Sequence, residues 1–204
     1  MRTHGWAGRP PADDDEAVQR ILAAAKLCID RDGAVSGIAD VARELGVTRQ
    51  TVYRYFPSTE DLLSATAIDA SATFLDRVDA HLSKWTGPPA VIVVEGLAFT
   101  LERLPKEPYI SLLLTPGRAS AFAEGVTSPT ALALGRILIE RFPVDWPAYG
   151  FDDEALNDLV EQMLRMTQSF VIDPGTPPRT GTALRSYLQR WLAPAVAAQT
   201  RIAT

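Results

Sequence analysis

Little in this sequence is equipped for covalent or redox chemistry. Its 204 residues include one cysteine, Cys28, and two histidines, His4 and His81. A single thiol excludes an internal disulfide framework. With so few ligand-type side chains there is no metal-binding cluster, no Cys-His pair with supporting context, and no glycine-rich phosphate loop. The carboxylates of Asp152, Asp153 and Glu154 form a run, but they suit a helix N-terminus better than an acid-base pair. Neither catalysis nor a metal or cofactor is therefore expected. Long apolar runs are also missing: the longest aliphatic stretches, such as Val91 to Val94, fall far short of the ~20 residues that a membrane helix needs. Residues 1–10 carry Arg2, His4 and Arg9 with no apolar stretch behind them, unlike a secretory signal. By elimination, the expected location is the cytoplasm. No internal repeat or low-complexity tract stands out.

What is present is an ordinary globular composition, 47% apolar and 22% charged, in a chain long enough to bury a sizeable core. The formal charge of −5 is spread unevenly. Between Val41 and Pro57 the cations Arg43, Arg49 and Arg54 face one acid, Glu44. Either this is ordinary solvated surface, or it is a face that escapes the repulsion an acidic protein would feel from a polyanion.

The periodicity is helical throughout. Residues 1–12, with Gly5, Gly8, Pro10 and Pro11, read as a flexible arm. The acidic run from Asp13 to Glu16 then favours a helix start, followed by the stripe Val18, Ile21, Leu22, Ala25, Cys28 and Ile29. Cys28 thus reads as a small core residue rather than a reactive thiol. A second helix starts with Ser36 as its cap, buries Ile38, Val41 and Leu45, and stops at Gly46. Thr48 caps a third, running from Arg49 to about Tyr55 and ended by Pro57. Two short helices joined at a glycine make a helix-turn-helix. At ~100° per residue, Val52 and Phe56 share one side of the third helix and Gln50 and Arg54 the other, with Thr51 and Tyr53 on the flanks and Arg49 in the exposed first turn. That polar face is one a DNA major groove would accept.

Ser58 opens a fourth helix, with Asp61 completing a capping box, and Leu63, Ala67, Ala70, Phe74, Val78 and Leu82 form its stripe. Its ~25 residues would reach ~37 Å, enough to link a head to a separate body. Trp85 to Pro89 break it. Ala90 to Leu104 is apolar nearly all round, which predicts an enclosed central helix, with a strand at Val91 to Val94 as the competing assignment. A short helix around Tyr109 to Leu114 follows, and another opens at Ser128-Pro129 and reaches Phe142. Two longer amphipathic segments, Asp152 to Asp173 and Thr182 to Ala193, carry more large apolar residues than one neighbour covers, among them Phe170, Leu184, Tyr187, Leu188 and Trp191. These are the candidates for a subunit interface. The expected architecture is all-α, with an arm over 1–12, a three-helix head over 13–57 and a helical body over 58–204.

One stretch is specific enough to suggest kinship. Ile38-Ala39-x-Val41-Ala42-x-x-Leu45-Gly46-Val47-Thr48-x-x-Thr51-Val52-Tyr53-x-Tyr55-Phe56-Pro57-Ser58-x-Glu60-x-Leu62-Leu63 resembles the TetR family of bacterial transcriptional regulators, with the likeness covering about residues 14 to 64. The resemblance implies a homodimer with DNA-binding heads and a body that binds a small molecule. It places Thr48, Arg49, Gln50, Thr51, Tyr53 and Tyr55 at DNA-facing positions, joined by Arg54 from the helical rotation. Arg49 and Gln50 suit guanine and adenine edges, and the hydroxyls of Thr48, Thr51, Tyr53 and Tyr55 suit phosphates, unless the tyrosines mainly pack the head. Members commonly carry a lysine just before the acid that opens the fourth helix; here that place is Thr59, one phosphate cation fewer. Arg2 and Arg9 are either a compensating contact in an adjacent groove or part of a plain disordered arm.

The implied mechanism is repression of a palindromic DNA operator, relieved by a small, largely apolar effector. Trp85, Phe99, Tyr109, Phe122, Trp146, Met163 and Met166 are candidates to line the effector pocket, unless they simply pack the core. The rival readings are a constitutive or architectural DNA-binding protein without a ligand, or an enzyme.

Overall fold

The computed structural model describes residues 5–32, 37–110 and 127–202. The expected cap at Ser36, Arg2 of the arm, the pocket candidate Phe122 and most of the short helix after Tyr109 lie outside them. The chain is all-helical over the described residues, and it divides into two compact units: Met1–Ala72 with Glu107–Leu113, and Thr73–Lys106 with Leu114–Thr204.

The first unit begins with α1, Asp14–Asp32. Its start is fixed reciprocally: Asp13 Oδ1 accepts the Glu16 N–H at 2.7 Å, while Glu16 Oε2 accepts the Ala12 N–H at 2.6 Å. The Ala12 amide and the Arg20 guanidinium hold the Glu16 carboxyl below its usual range. The expected stripe is buried from Ile21 onward, with Ile21 and Cys28 fully enclosed, and Val18 is half-buried against the same core. α2 spans Ile38–Leu45, its first turn held by the Gly37 N–H donating to Asp40 Oδ2 at 3.2 Å. It ends at Gly46, whose φ of 64° is the left-handed conformation that favours glycine there, and the Val47 N–H returns to the Ala42 carbonyl at 2.9 Å. α3 spans Arg49–Tyr53, two residues shorter than the sequence suggests. α4, Thr59–Leu82, is capped by Ser58 Oγ, which accepts the Asp61 N–H at 3.0 Å and donates to the Asp61 carboxylate at 2.7 Å. Residues 5–9 do not hang free: Trp6 packs on the core of this unit, and Arg20 donates to the Arg9 carbonyl at 2.5 Å.

The second unit is organised around α5, Pro89–Arg103, which is helical through Val91 to Val94, so the strand alternative falls. Ile92, Val93, Leu97 and Ala98 have essentially no exposed surface. Nearly enclosed apolar surface of this kind is the signature of a central helix. α6 (Pro129–Glu140) and α7 (Asp153–Ile172) start on the side-chain caps Ser128 and Asp152. They approach closely at Gly135, where an added Cβ would lie 2.6 Å from Val160. The expected last helix, Thr182 to Ala193, is α8, Gly181–Trp191, which breaks at Leu192; a further helix that the sequence reading did not anticipate, α9, Ala193–Ile202, follows with Pro194 in its first turn, where a missing N–H costs nothing. Helices α7, α8 and α9 all pack on α5.

A buried charge network ties this unit together. Glu95, 3% exposed in the middle of α5, accepts two parallel bonds from Arg185 of α8, both at 2.7 Å, and lies 2.6 Å from His81 Nε2. Arg185 also reaches Glu102 at 3.1 Å, and the His81 ring stacks on Phe99 at 4.1 Å. Burial pushes the Glu95 carboxyl up, but the bonds from Arg185 and then His81 outweigh it and hold the carboxyl below its ordinary 4.5. A depressed native pKa contributes stability that is complete above the unfolded value and is lost as pH falls through the native one. Glu95→Gln should therefore lose stability at neutral pH, and its deficit against the wild type should shrink on acidification below about pH 4.5. Arg185→Met, which strands a buried carboxylate, should cost ~3–5 kcal/mol in urea unfolding at pH 7.

Candidate nucleic-acid interface

The exposed face of the first unit is set by how α3 is anchored. Thr48 has an extended backbone, its Oγ1 accepts the Thr51 N–H at 3.2 Å, and its hydroxyl pairs with that of Thr51 at 2.9 Å. Val52 is fully buried and Phe56 nearly so, joining the stripe of α1, Ile38 and Val41 of α2, and Leu62 of α4 in one core. With one side pinned, the other must face solvent. Thr48, Arg49, Gln50, Tyr53 and Arg54 are exposed, Tyr53 by 50%, and Thr51 is half-buried. Thr48, Gln50, Thr51, Tyr53 and Arg54 line one surface depression. Among the described residues the side chains of Arg49 and Gln50 have no hydrogen-bonding or ionic partner, so their donors stand open to solvent.

The positive excess seen in the sequence is largely met by acids from outside the segment. Arg43 pairs with Asp40 at 2.9 Å, and Arg54 pairs at 2.7 Å with Asp14, forty residues earlier at the start of α1. Asp14 Oδ1 also accepts the Tyr55 hydroxyl at 2.8 Å, and the Arg54 guanidinium lies 4.9 Å from the centre of the Tyr55 ring. The bond to Asp14 raises the Tyr55 phenol above its ordinary pKa, with burial adding to it. Tyr55 thus packs its ring on the core, while its hydroxyl donates to Asp14 at the surface. Asp14 escaped the sequence reading because its carboxylate looked like a plain helix-start acid; a contact across forty residues leaves no local signature.

The effector-pocket candidates do not converge. Trp146 and Met163 are buried in the second unit; the Trp146 indole N–H donates to the Ile139 carbonyl at 3.2 Å, and its ring meets Phe151 edge-on. Phe99 is taken up by His81, and Met166 is half-buried on α7. Tyr109 belongs to the first unit: its ring packs on Ile29 and Leu63 and its hydroxyl donates to the Asp30 carboxylate at 3.0 Å. Trp85 borders a cleft of about 580 Å³, together with Glu95, Arg185 and Arg190. A larger cavity of about 670 Å³ was not anticipated; Leu101, Pro105, Phe170, Val171 and Leu184 wall it, with Lys106 and Arg179 among its charged residues.

The interface candidates divide as well. Leu184 and Leu188 are fully buried inside this one chain, because the apolar stripe of α8 is spent on α5. Trp191 is 66% exposed, and Phe170 and Tyr187 pack edge to face on each other at 5.7 Å, half-buried.

A capped, core-anchored α3 with a free polar face, set against α2 across a glycine turn, defines a helix-turn-helix DNA-binding protein. Residues 21–66 match the family described as "Bacterial regulatory proteins, tetR family". Over 171 residues the chain is 26% identical to the HTH-type transcriptional regulator AlkX of Mycobacterium tuberculosis, covering 82% of this chain and 79% of that one. Among solved structures it is similar in fold to the TetR family repressor AlkX of a Dietzia species, implicated in biodegradation of n-alkanes, with a TM-score of 0.61 at 20% identity over 90% of this chain and 96% of that one. A TetR transcriptional regulator from a Rhodococcus species gives 0.56 at 22% identity over 90% and 97%. By sequence, the match to the tetR family of bacterial regulators thus spans the helix-turn-helix and the helices flanking it, residues 21–66.

Arg49→Ala and Gln50→Ala should each reduce discrimination between a mapped binding site and random duplex by about 1–3 kcal/mol while leaving non-specific affinity nearly unchanged. Paired fluorescence-anisotropy titrations would show this, and equal losses on both duplexes would remove these residues from base reading.

Proposed function

We propose that this regulator is a repressor that binds a palindromic operator as a homodimer and is released from it by a small, largely apolar molecule. The observation that carries the reading is the row of exposed side chains on α3, with Arg49 and Gln50 unengaged beside hydroxyls suited to phosphate. The name of the Dietzia relative, a repressor, supports the direction of control. Two recognition helices on one duplex need a separation of about 34 Å, one helical turn, or somewhat more on a widened site. An effector acts by differential affinity: if it binds better to the body of a dimer whose heads are wrongly spaced, it draws the population off DNA without touching it. The 670 Å³ cavity walled by Leu101, Phe170, Val171 and Leu184 is the candidate site, and its walls favour an apolar body.

Selecting bound fragments from a pool of genomic duplexes with the purified chain, then adding n-alkanes or other apolar compounds to the complex, tests this directly. Enrichment of one inverted repeat and its loss on adding a compound is the expected result; recovery of unrelated fragments alone would leave a constitutive, architectural binder. Exposed Trp191 is the strongest remaining candidate for the subunit contact. Trp191→Asp should sediment as a monomer with its helical content intact, and a persistent dimer would move the interface elsewhere.

A further inference from the structure

Among the described residues, Asp14 is the one acid seen to engage the exposed face of α3. A single carboxylate oxygen receives the Arg54 guanidinium at 2.7 Å and the Tyr55 hydroxyl at 2.8 Å, with the two donors stacked on each other. Two convergent donors on one anionic oxygen is also how a DNA phosphate would be held. We propose that Asp14 is a brake on DNA binding: it stands in for a phosphate in the free protein, engaging Arg54 and Tyr55 until a duplex displaces it, and so lowers the affinity for every duplex by the same factor.

The energetics favour a brake over a lock. Both partners are open to water, Arg54 by 67% and Asp14 by 72%, and ion pairs so exposed are weak and screened by salt. DNA can therefore displace the carboxylate. What remains is a negative charge beside the phosphates, together with the lost pair, and both penalties fall on every sequence alike. Non-specific binding rests almost wholly on phosphate contacts, whereas an operator adds base contacts from elsewhere on α3. A uniform penalty thus takes up a larger share of the weaker complex. It pushes binding to the many competing sites below the working concentration while the operator stays occupied. Such a brake complements a head that carries Thr59 where one more cation would add to phosphate affinity.

The inference rests on the DNA-binding reading, and the test separates the two. Binding of the full chain to a random-sequence duplex of about 30 base pairs is measured from 50 to 200 mM salt. Asp14→Asn should tighten it ~3–10-fold at the lower salt and steepen the slope of log K against log salt by roughly one, as one restored phosphate contact requires. Asp15→Asn removes the same charge from the same helix turn, also exposed and with no bond to Arg54, and should change affinity less than twofold and leave the slope alone. In the Arg54→Ala background the gain from Asp14→Asn should fall to that of the Asp15 control. Equal behaviour of the Asp14 and Asp15 variants, weaker binding by Asp14→Asn, or a gain that survives Arg54→Ala would each overturn the proposal. No duplex binding by the wild type would instead overturn the reading beneath it.

Discussion

Val52 decides what this protein can present to DNA. A five-residue helix has no stability of its own, since forming the first turn is unfavourable and too few later bonds offset it. It persists because Val52 and Phe56 are held in a core built from α1, α2 and the first turn of α4. Burying a side chain of Val52's size stabilises by ~1.5–3 kcal/mol, more than any single polar contact on the opposite face would supply. The rotation of α3 about its axis follows from that anchor, and so does the outward aim of Gln50 and Arg54. Recognition chemistry here is a consequence of packing chemistry.

The second unit solves a different problem with a different device. The middle of α5 is so thoroughly enclosed that its one charged residue there, Glu95, must find its partners inside the protein. It finds them in the parallel bonds of Arg185 and the ring nitrogen of His81. Those bonds join the middle of α5 to α8 and to the end of α4 through one carboxylate. Close approach adds a further constraint: an added Cβ at Gly96 would lie 2.4 Å from the Phe142 ring, so α5 seats that ring on bare backbone.

How much of this was legible in the sequence follows from the range of each signal. The caps at Thr48, Ser58, Ser128 and Asp152, and the stop at Gly46, are local features of side chain and backbone, and each stands where the residues suggest. The stripe that buries Cys28 and the face that exposes Gln50 are periodicities within one helix. Less visible was anything that depended on which helix meets which. Leu184 and Leu188 read as spare apolar surface because the sequence does not say that α5 takes them. Tyr109 read as a body residue because its partner Asp30 lies 79 positions away. The restart at Ala193 was hidden by Pro194, which ends most helices but is tolerated in a first turn. The cavity beside Phe170 and the Asp14 contact are products of tertiary assembly, with no local counterpart.

The lone thiol has a practical corollary. Cys28 is fully enclosed in the head, and burial raises its pKa, so little thiolate forms at neutral pH and none of it is within easy reach of a reagent. A cysteine introduced at any exposed site would then be the sole fast-reacting sulfur in the folded protein. Dyes or spin labels could be attached there, and distances followed, without first removing the native residue.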